Sequence, residues 1–304
     1  MDTVLLILKQ IAVMFLIMAM GFILYRKKLI TKEGSKTLAN LLIYIILPCV
    51  IINGFITERT AEKIAELGIS AALALAFLIV SCLVSRIFFK KSPIDNFASC
   101  FSNPGFFGIP LIAAAYGSGS VFFITAFIAF LNIGQWTYGA AILKEEKIKI
   151  NLKTIMTSPF IIGLIIGLIL FFTQLPLPTI VTSTISAATG ANTFIAMLVL
   201  GVYLAQADLK KMLLTPRLYL VSLTRLVIIP LICCLAAFLI PVEYKALCIC
   251  VLIACACPVG SNVAVYAQLY GKDYTYAVQT VTLSTVFSIV TIPAIHMLAD
   301  MIIK

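Results

Sequence analysis

The chain of 304 residues is 62% hydrophobic and only 11% charged, with a mean hydropathy of +1.13. A water-soluble domain of this length needs charge over most of its surface, so the composition indicates a protein surrounded mostly by lipid. The formal charge of +10 comes from residues in short loops between apolar runs. We therefore expect no nucleic-acid-binding face and no nucleic-acid partner.

Ten apolar runs follow one another along the chain, and each is about twenty residues long, enough to cross the roughly 30 Å of hydrocarbon in a bilayer. This pattern predicts an all-α polytopic membrane protein with ten transmembrane helices. The predicted spans are residues 3–25, 37–56, 67–89, 96–116, 118–143, 158–174, 178–206, 216–240, 244–270 and 273–302.

Lysine and arginine are distributed unevenly between the loops on the two sides. The loops after predicted helices 1, 3, 5, 7 and 9 hold 16 of them, whereas the opposite side holds 4. Because positively charged loops stay in the cytoplasm, both termini are predicted to lie on the extracytoplasmic side. The loop 144–157 leaves five helices on each side, and halves with an odd number of helices insert in opposite orientations. This predicts two inverted repeats, 1–143 and 158–304, joined by a cytoplasmic linker.

The two halves also resemble each other in sequence at matching helices. A shift of 154 positions lays Pro104 on Pro258 and Tyr116 on Tyr270, which aligns predicted helix 4 with predicted helix 9. A shift of 152 positions aligns predicted helix 2 with predicted helix 7. Internal similarity is the mark of a repeated architecture, so it supports the prediction of inverted repeats.

Predicted helix 4 contains the sequence SNPGFFGIPL at residues 102–111, in the middle of an apolar run. Each of its prolines removes a backbone donor and clashes with the preceding turn, so we expect the helix to break there. The residues of this motif that we assign to a binding site are Asn103, Pro104, Gly105, Gly108 and Pro110.

Predicted helix 9 contains a similar interruption by proline and glycine, in the sequence ACPVGSNVAVYA at residues 256–267. A simple kink would explain either motif alone. However, unwound backbone in a bilayer is tolerated only where protein or a watery cavity satisfies its polar groups. Interruptions at matching places in two inverted halves therefore indicate the binding site of a transporter. The residues assigned here are Pro258, Gly260, Ser261 and Asn262.

Each interruption creates a half-helix whose N-terminus lies inside the membrane, with free N–H groups and a partial charge of about +0.5. Two such ends near the midplane suit a carboxylate. The side chains of Asn103, Ser261 and Asn262 add neutral donors, and Asn132 in predicted helix 5 lies at a similar depth. Hydrogen bonds that serve only helix packing are the alternative role for these side chains.

The residues that are absent from the middle of the spans are also informative. All 12 Asp and Glu lie in loops or near span ends, so we expect no built-in carboxylate proton relay. Four of the cysteines, Cys248, Cys250, Cys255 and Cys257, lie in one apolar helix. Because positions two apart on a helix face opposite sides, they cannot form a tetrahedral metal site. We expect no metal, no cofactor and no enzymatic activity.

Arg225 lies nine residues inside predicted helix 8, which is deep for a charged side chain. Three roles are open to it. The guanidinium could attract the anion, it could cap the C-terminus of a half-helix, or the long side chain could reach back to the cytoplasmic surface. We include Arg225 among the candidate site residues for the attraction of an anion.

With these motifs in hand, the chain resembles a bacterial member of the auxin efflux carrier family. Asn103 stands five residues before GIPL at 108–111, and YG follows at 116–117. The second interruption, and Ser284 in the last predicted helix, are similar to the closing pair of helices in that family. Bacterial relatives in the family include malate and malonate carriers, and the resemblance implies the crossover fold of the bile-acid, arsenite and riboflavin transporters.

The resemblance also implies a homodimer in the cell membrane. Helices 1, 2, 6 and 7 are expected to form a scaffold, and helices 3–5 and 8–10 a mobile carrier with the substrate at the crossing. The expected function is secondary transport of a small organic anion, a mono- or dicarboxylate, by an elevator-type alternating-access mechanism. The alternatives are a sodium-coupled symporter of the bile-acid type and a membrane receptor that produces no flux.

Overall fold

The structure is a computed structural model, and it describes residues 2–148, 152–237 and 240–303. All regular elements in these residues are helices, so the prediction of an all-α polytopic membrane protein is confirmed. Seven continuous helices of the described chain are long and apolar enough to cross a membrane. They are helix 1 (Thr3–Arg26), helix 2 (Lys32–Phe55), helix 3 (Ala61–Phe89), helix 5 (Ser118–Lys144), helix 7 (Thr179–Gln206), helix 8 (Pro216–Ala236) and helix 10 (Tyr274–Ile302).

Three further apolar elements occupy the remaining predicted spans. Helix 6 is shorter, Pro159–Thr173. Helix 4 consists of two halves, 4a (Pro93–Cys100) and 4b (Pro104–Tyr116). Helix 9 likewise consists of 9a (Lys245–Ala256) and 9b (Asn262–Leu269). Both predicted interruptions are therefore present.

Helices 2 and 3 begin five or six residues before their predicted starts at 37 and 67. Each start is fixed by a threonine whose hydroxyl oxygen accepts a hydrogen bond from a backbone N–H three residues later. Thr31 accepts from Gly34 at 3.0 Å, and Thr60 accepts from Lys63 at 3.1 Å. These capped first turns are polar, and hydropathy alone therefore places the helix starts too late.

Two short helices were not expected, one of them inside the predicted linker 144–157. They are Leu152–Met156, and Leu209–Leu213 between helices 7 and 8. Residues 149–151 of the linker and residues 238 and 239 of the eighth predicted span lie outside the described residues.

Helices 1 and 7 pack so closely that their backbones touch. A Cβ atom on Gly21 would lie 2.3 Å from the carbonyl oxygen of Leu198, and one on Gly201 would lie 2.1 Å from that of Met18. Small residues at such contacts let transmembrane helices approach and gain van der Waals contact that lipid cannot provide. Each half of the chain contributes one helix to this pair.

Helices 2 and 6 form a second close pair, again with one helix from each half. Gly163 faces the backbone of Pro48, where a Cβ would lie 3.0 Å from the proline Cα. One turn further along, Gly167 faces the ring of Phe55. Helices 1, 2, 6 and 7 thus include two contacts that depend on glycine.

We predict that Gly201→Ala destabilises the protein, because the added methyl group collides with the backbone of helix 1. Overpacking of this kind costs about 1–3 kcal/mol. The matched control is Gly190→Ala in the same helix, since an added Cβ there would meet no atom within 4 Å apart from those of its own turn of helix. Thermal unfolding of the purified protein in detergent should show a lower melting temperature for Gly201→Ala only. Equal melting temperatures for the two variants would contradict the packing described here.

Candidate functional site at the crossing of the interrupted helices

The unwound segments 101–103 and 257–261 run antiparallel and pair through a single bridge between Ser102 and Val259. The backbone N–H of Gly260 donates to the carbonyl of Phe101 at 2.9 Å. A Cβ on Gly260 would lie only 2.8 Å from the carbonyl oxygen of Ser102. A glycine is therefore needed for the two segments to approach each other.

Several carbonyl groups at the ends of half-helices 4a and 9a accept hydrogen bonds from side chains of neighbouring segments. The last four carbonyls of a helix have no intrahelical partner, and a bilayer offers no water to replace it. The hydroxyl of Ser102 donates to the carbonyl of Ala254 at 2.9 Å. In the unwound segment of helix 9, the backbone N–H of Val259 donates to the hydroxyl oxygen of Ser284 in helix 10 at 3.0 Å. The crossing thus uses neighbouring serines to replace missing backbone partners.

Arg225 caps both carbonyl ends at once. Its side chain is 1% exposed, and Nη1 donates to the carbonyls of Ser99 and Cys100 at 3.0 and 2.9 Å, while Nη2 donates to the carbonyl of Cys255. Of the three roles considered for this residue, capping of a half-helix C-terminus is the one observed. The alternative in which the side chain reaches the membrane surface is wrong, because the half-helix ends hold the guanidinium in the interior.

The N-terminal ends of half-helices 4b and 9b are open, in the sense that no side chain caps them. In the first turn of 4b, the N–H groups of Gly105 and Phe106 have no intrahelical acceptor, and the same holds for Ser261 and Asn262 at the start of 9b. Pro104 begins 4b, and its fixed φ angle and missing N–H suit that position. Each end carries a partial positive charge of about +0.5.

These open ends line a small cavity at the crossing, with a volume of about 20 Å³, which is room for about one water molecule. Seven of the predicted site residues line the cavity: Asn103, Pro104, Gly105, Asn132, Gly260, Ser261 and Asn262.

Three predicted residues and Arg225 do not line the cavity. Gly108 packs against Cys257, whose sulfur would lie 3.1 Å from an added Cβ. Pro258 lies in the unwound segment and is buried. Pro110 does not interrupt helix 4, contrary to the prediction. A π-helical turn, Pro104–Gly108, ends just before it, and this wider turn accommodates the ring, so that helix 4b continues to Tyr116.

The amide side chains in the cavity differ in how they are bonded. Asn262 donates from Nδ2 to Oε1 of Gln135 at 2.8 Å, and Asn132 donates from Nδ2 to the carbonyl of Ile128 at 2.7 Å. Asn103 is 5% exposed, and its Nδ2 has no hydrogen-bond partner among the described residues. An unpaired buried donor is costly unless a ligand accepts from it.

The sequence interpretation did not include Gln135 or the apolar walls of the cavity. Gln135 lies three residues after Asn132, so both side chains face the same side of helix 5, and this spacing was the available signal. Two of the five apolar lining residues, Leu47 and Phe160, come from helices 2 and 6, which carry none of the predicted site residues. The apolar lining residues are Leu47, Phe106, Ile128, Leu131 and Phe160.

Four π-helical turns occur in the described chain, and all lie close to the crossing. The first, Leu42–Ile46, ends just before Leu47, and the second, Pro104–Gly108, contains Phe106. The third, Gln135–Gly139, begins at Gln135, and the fourth, Thr224–Ile228, contains Arg225. A π-helical turn inserts an extra residue and re-aims the side chains that follow, and such turns are frequent at functional sites. The local backbone is therefore adapted to bring these side chains together.

The sequence model of one protein family, described as membrane transport protein, matches residues 6–296 of the chain. The match covers the five helices before the linker, the five after it and both interruptions. No curated protein matches the chain.

We predict that Gln135→Ala and Asn262→Ala are not additive in their effects on stability. Each single variant removes the same hydrogen bond between helices 5 and 9b. The double variant should therefore lose about 0.5–1.5 kcal/mol less than the sum of the singles. As a control, Asn192→Ala removes a buried amide outside the cavity and should be additive with Gln135→Ala. Melting temperatures in detergent measure this coupling, and additivity of the first pair would show that the bond does not contribute.

Proposed function

Because the chain belongs to the membrane transport protein family, the auxin efflux carrier family that its motifs resemble, we propose that it carries a small organic anion across the membrane. The protein is a multi-pass membrane transporter. The substrate class that we propose is a mono- or dicarboxylate, and the process is secondary transport by alternating access.

The proposal depends on one observation: side chains bond to the carbonyl groups at the crossing, but no side chain caps the N-terminal ends of half-helices 4b and 9b there. The carbonyls of Ser99, Cys100 and Cys255 are bonded to Arg225. The residues that begin half-helices 4b and 9b line the cavity instead, and the first N–H groups of a helix have no intrahelical acceptor. Such a site suits a negatively charged hydrogen-bond acceptor, because both the donors and the helix dipoles favour an anion.

The side chains that line the cavity support a carboxylate rather than a cation. Within the described part of the chain no charged side chain lines it, so the favourable charge comes from the two half-helix ends and the amides. Asn103 offers an unpaired Nδ2, and Asn262 can exchange its bond with Gln135 for a bond to the ligand. Fixed dipoles of this kind bind an anion without the cost of burying a lysine or arginine in the site.

The walls of the cavity support an elevator-type motion. Its polar groups belong to helices 4, 5 and 9, whereas Leu47 and Phe160 belong to helices 2 and 6. We propose that helices 1, 2, 6 and 7 form the scaffold and that helices 3–5 and 8–10 form the carrier. The cavity then lies on the boundary between the two units. Because it has room for about one water molecule, an organic anion requires these units to separate.

We further propose ten crossings arranged as inverted repeats, 1–143 and 158–304, with 144–157 as a cytoplasmic linker and both termini outside. The pairing of helix 1 with helix 7 and of helix 6 with helix 2 supports this, because each pair becomes the other when the halves are exchanged. The antiparallel bridge between Ser102 and Val259 is consistent with the same relation. The cell membrane as location and a second copy as partner follow from the family resemblance.

We predict that Asn103→Ala lowers anion flux by about tenfold, because one good hydrogen bond to a charged group contributes about 1.5–3 kcal/mol. Asn103→Asp should lower it further, since the new carboxylate repels the substrate while the volume is kept. The measurement is uptake of radiolabelled carboxylates, including malate, malonate and indole-3-acetate, into proteoliposomes.

Asn96→Ala is the matched control, because Asn96 is a buried amide of the same interrupted helix that does not line the cavity. Its flux should remain close to that of the unchanged protein. Full activity of Asn103→Ala and Asn103→Asp would contradict the assignment of Asn103. Saturable binding of a carboxylate without any flux would instead favour the receptor.

A further inference from the structure

The guanidinium of Arg225 lies where two negative helix ends converge. Half-helices 4a and 9a both end at the crossing, and their last carbonyls point to the same place. Each C-terminal end is equivalent to about −0.5 of a charge, so together they amount to about −1. Within the described residues Arg225 has no carboxylate partner. Its bonded partners are therefore three backbone carbonyls and, at 3.5 Å, the Sγ atom of Cys255.

A pair of converging carbonyl ends is a cation site by its chemistry. In transporters with interrupted helices, half-helix C-termini and unwound carbonyls coordinate the coupling sodium ion or proton near the midplane. Hard cations such as sodium are bound by several carbonyl oxygens at once. Arg225 supplies the same single positive charge and bonds to three carbonyls, two on 4a and one on 9a. Because arginine keeps its proton under all ordinary conditions, this charge is permanent.

We propose that Arg225 is a built-in cation that occupies the place of a coupling sodium ion, so that this transporter moves its substrate without sodium. The inference rests on the proposed anion transport for its functional consequence, but not for the placement of the guanidinium. It decides between the two transport mechanisms considered from the sequence, because a site already filled by a covalently attached cation leaves no position there for sodium.

The surroundings of Arg225 fit a positioning role rather than direct contact with the substrate. The residue does not line the cavity, and its bonds go to the carbonyl side of the crossing. By neutralising the two C-terminal ends, it leaves the two N-terminal ends as the uncompensated charge beside the cavity. A sodium ion would do the same only while bound, which is how ion binding and anion binding become coupled.

The first test uses the unchanged protein. Carboxylate uptake into proteoliposomes is measured in sodium, potassium and N-methylglucamine salts at equal ionic strength. The proposal expects the same rate in all three, and the same melting temperature in detergent. Stimulation of flux by sodium of about tenfold, the scale of a typical coupling energy, would overturn the inference while leaving anion transport intact. Absence of carboxylate flux in every salt would refute the proposed function instead.

The second test removes the guanidinium. In Arg225→Ala the three carbonyls lose their donor, so we expect a lower melting temperature and flux reduced by about tenfold or more. Millimolar guanidinium chloride, far below denaturing concentrations, should enter the space that is left and recover both. Arg225→Lys keeps the charge without the planar fork, and we expect it to remain folded and independent of sodium.

Arg59→Ala is the matched control for chemical rescue. Arg59 also donates to a carbonyl in the last turn of a helix, that of Phe172 at 2.6 Å, but it is exposed. Water can replace its bond, so guanidinium should have no effect on that variant. Failure of guanidinium to raise the melting temperature of Arg225→Ala above this control would overturn the inference. If Arg225→Ala does not fold, sodium dependence of Arg225→Lys would have the same consequence.

Discussion

Every polar group of the backbone needs a partner inside a bilayer, and the crossing is where this constraint is hardest to meet. Two helices end and two begin within the apolar layer, and each end exposes groups that cannot bond within its own helix. The chain meets the requirement for carbonyls with Arg225 and Ser102. The first turns of half-helices 4b and 9b, whose N–H groups have no intrahelical acceptor, line the cavity. The charge of the site is therefore a consequence of how the backbone is satisfied.

Because the carbonyl ends are capped and the N-terminal ends are not, the crossing has a net positive partial charge, which the symmetry of the two halves alone would not produce. Two N-terminal and two C-terminal half-helix ends carry equal and opposite partial charges, so an uncapped crossing favours neither an anion nor a cation. Arg225 neutralises the C-terminal ends of half-helices 4a and 9a, which would otherwise attract a cation. Its place within the π-helical turn Thr224–Ile228 allows a side chain from helix 8 to reach both 4a and 9a. On the proposed function, a single residue on helix 8 would thus determine which kind of ion half-helices 4b and 9b attract.

The sequence predicts the interruptions well because proline and glycine act locally on the helix that contains them. For the same reason Asn103, Gly260 and Asn262, which lie within the two motifs, were identified as cavity residues. Pro110 shows the limit of that reasoning, since a preceding π-helical turn accommodates the ring. Leu47 and Phe160 could not be predicted as walls of the cavity. Their position depends on how helices 2 and 6 pack against the crossing, and no local pattern encodes that.

The two sides of the cavity also differ in the kind of contact they make. Among the described residues, the hydrogen bonds at the crossing involve helices 3, 4, 5, 8, 9 and 10, and none involves helix 2 or helix 6. Leu47 and Phe160 present only apolar surface to it. Apolar contacts are non-directional, so a sliding motion along this boundary breaks no hydrogen bond at the site. The bonds that fix the half-helix ends, including those of Arg225, all lie within the unit that we propose as the carrier.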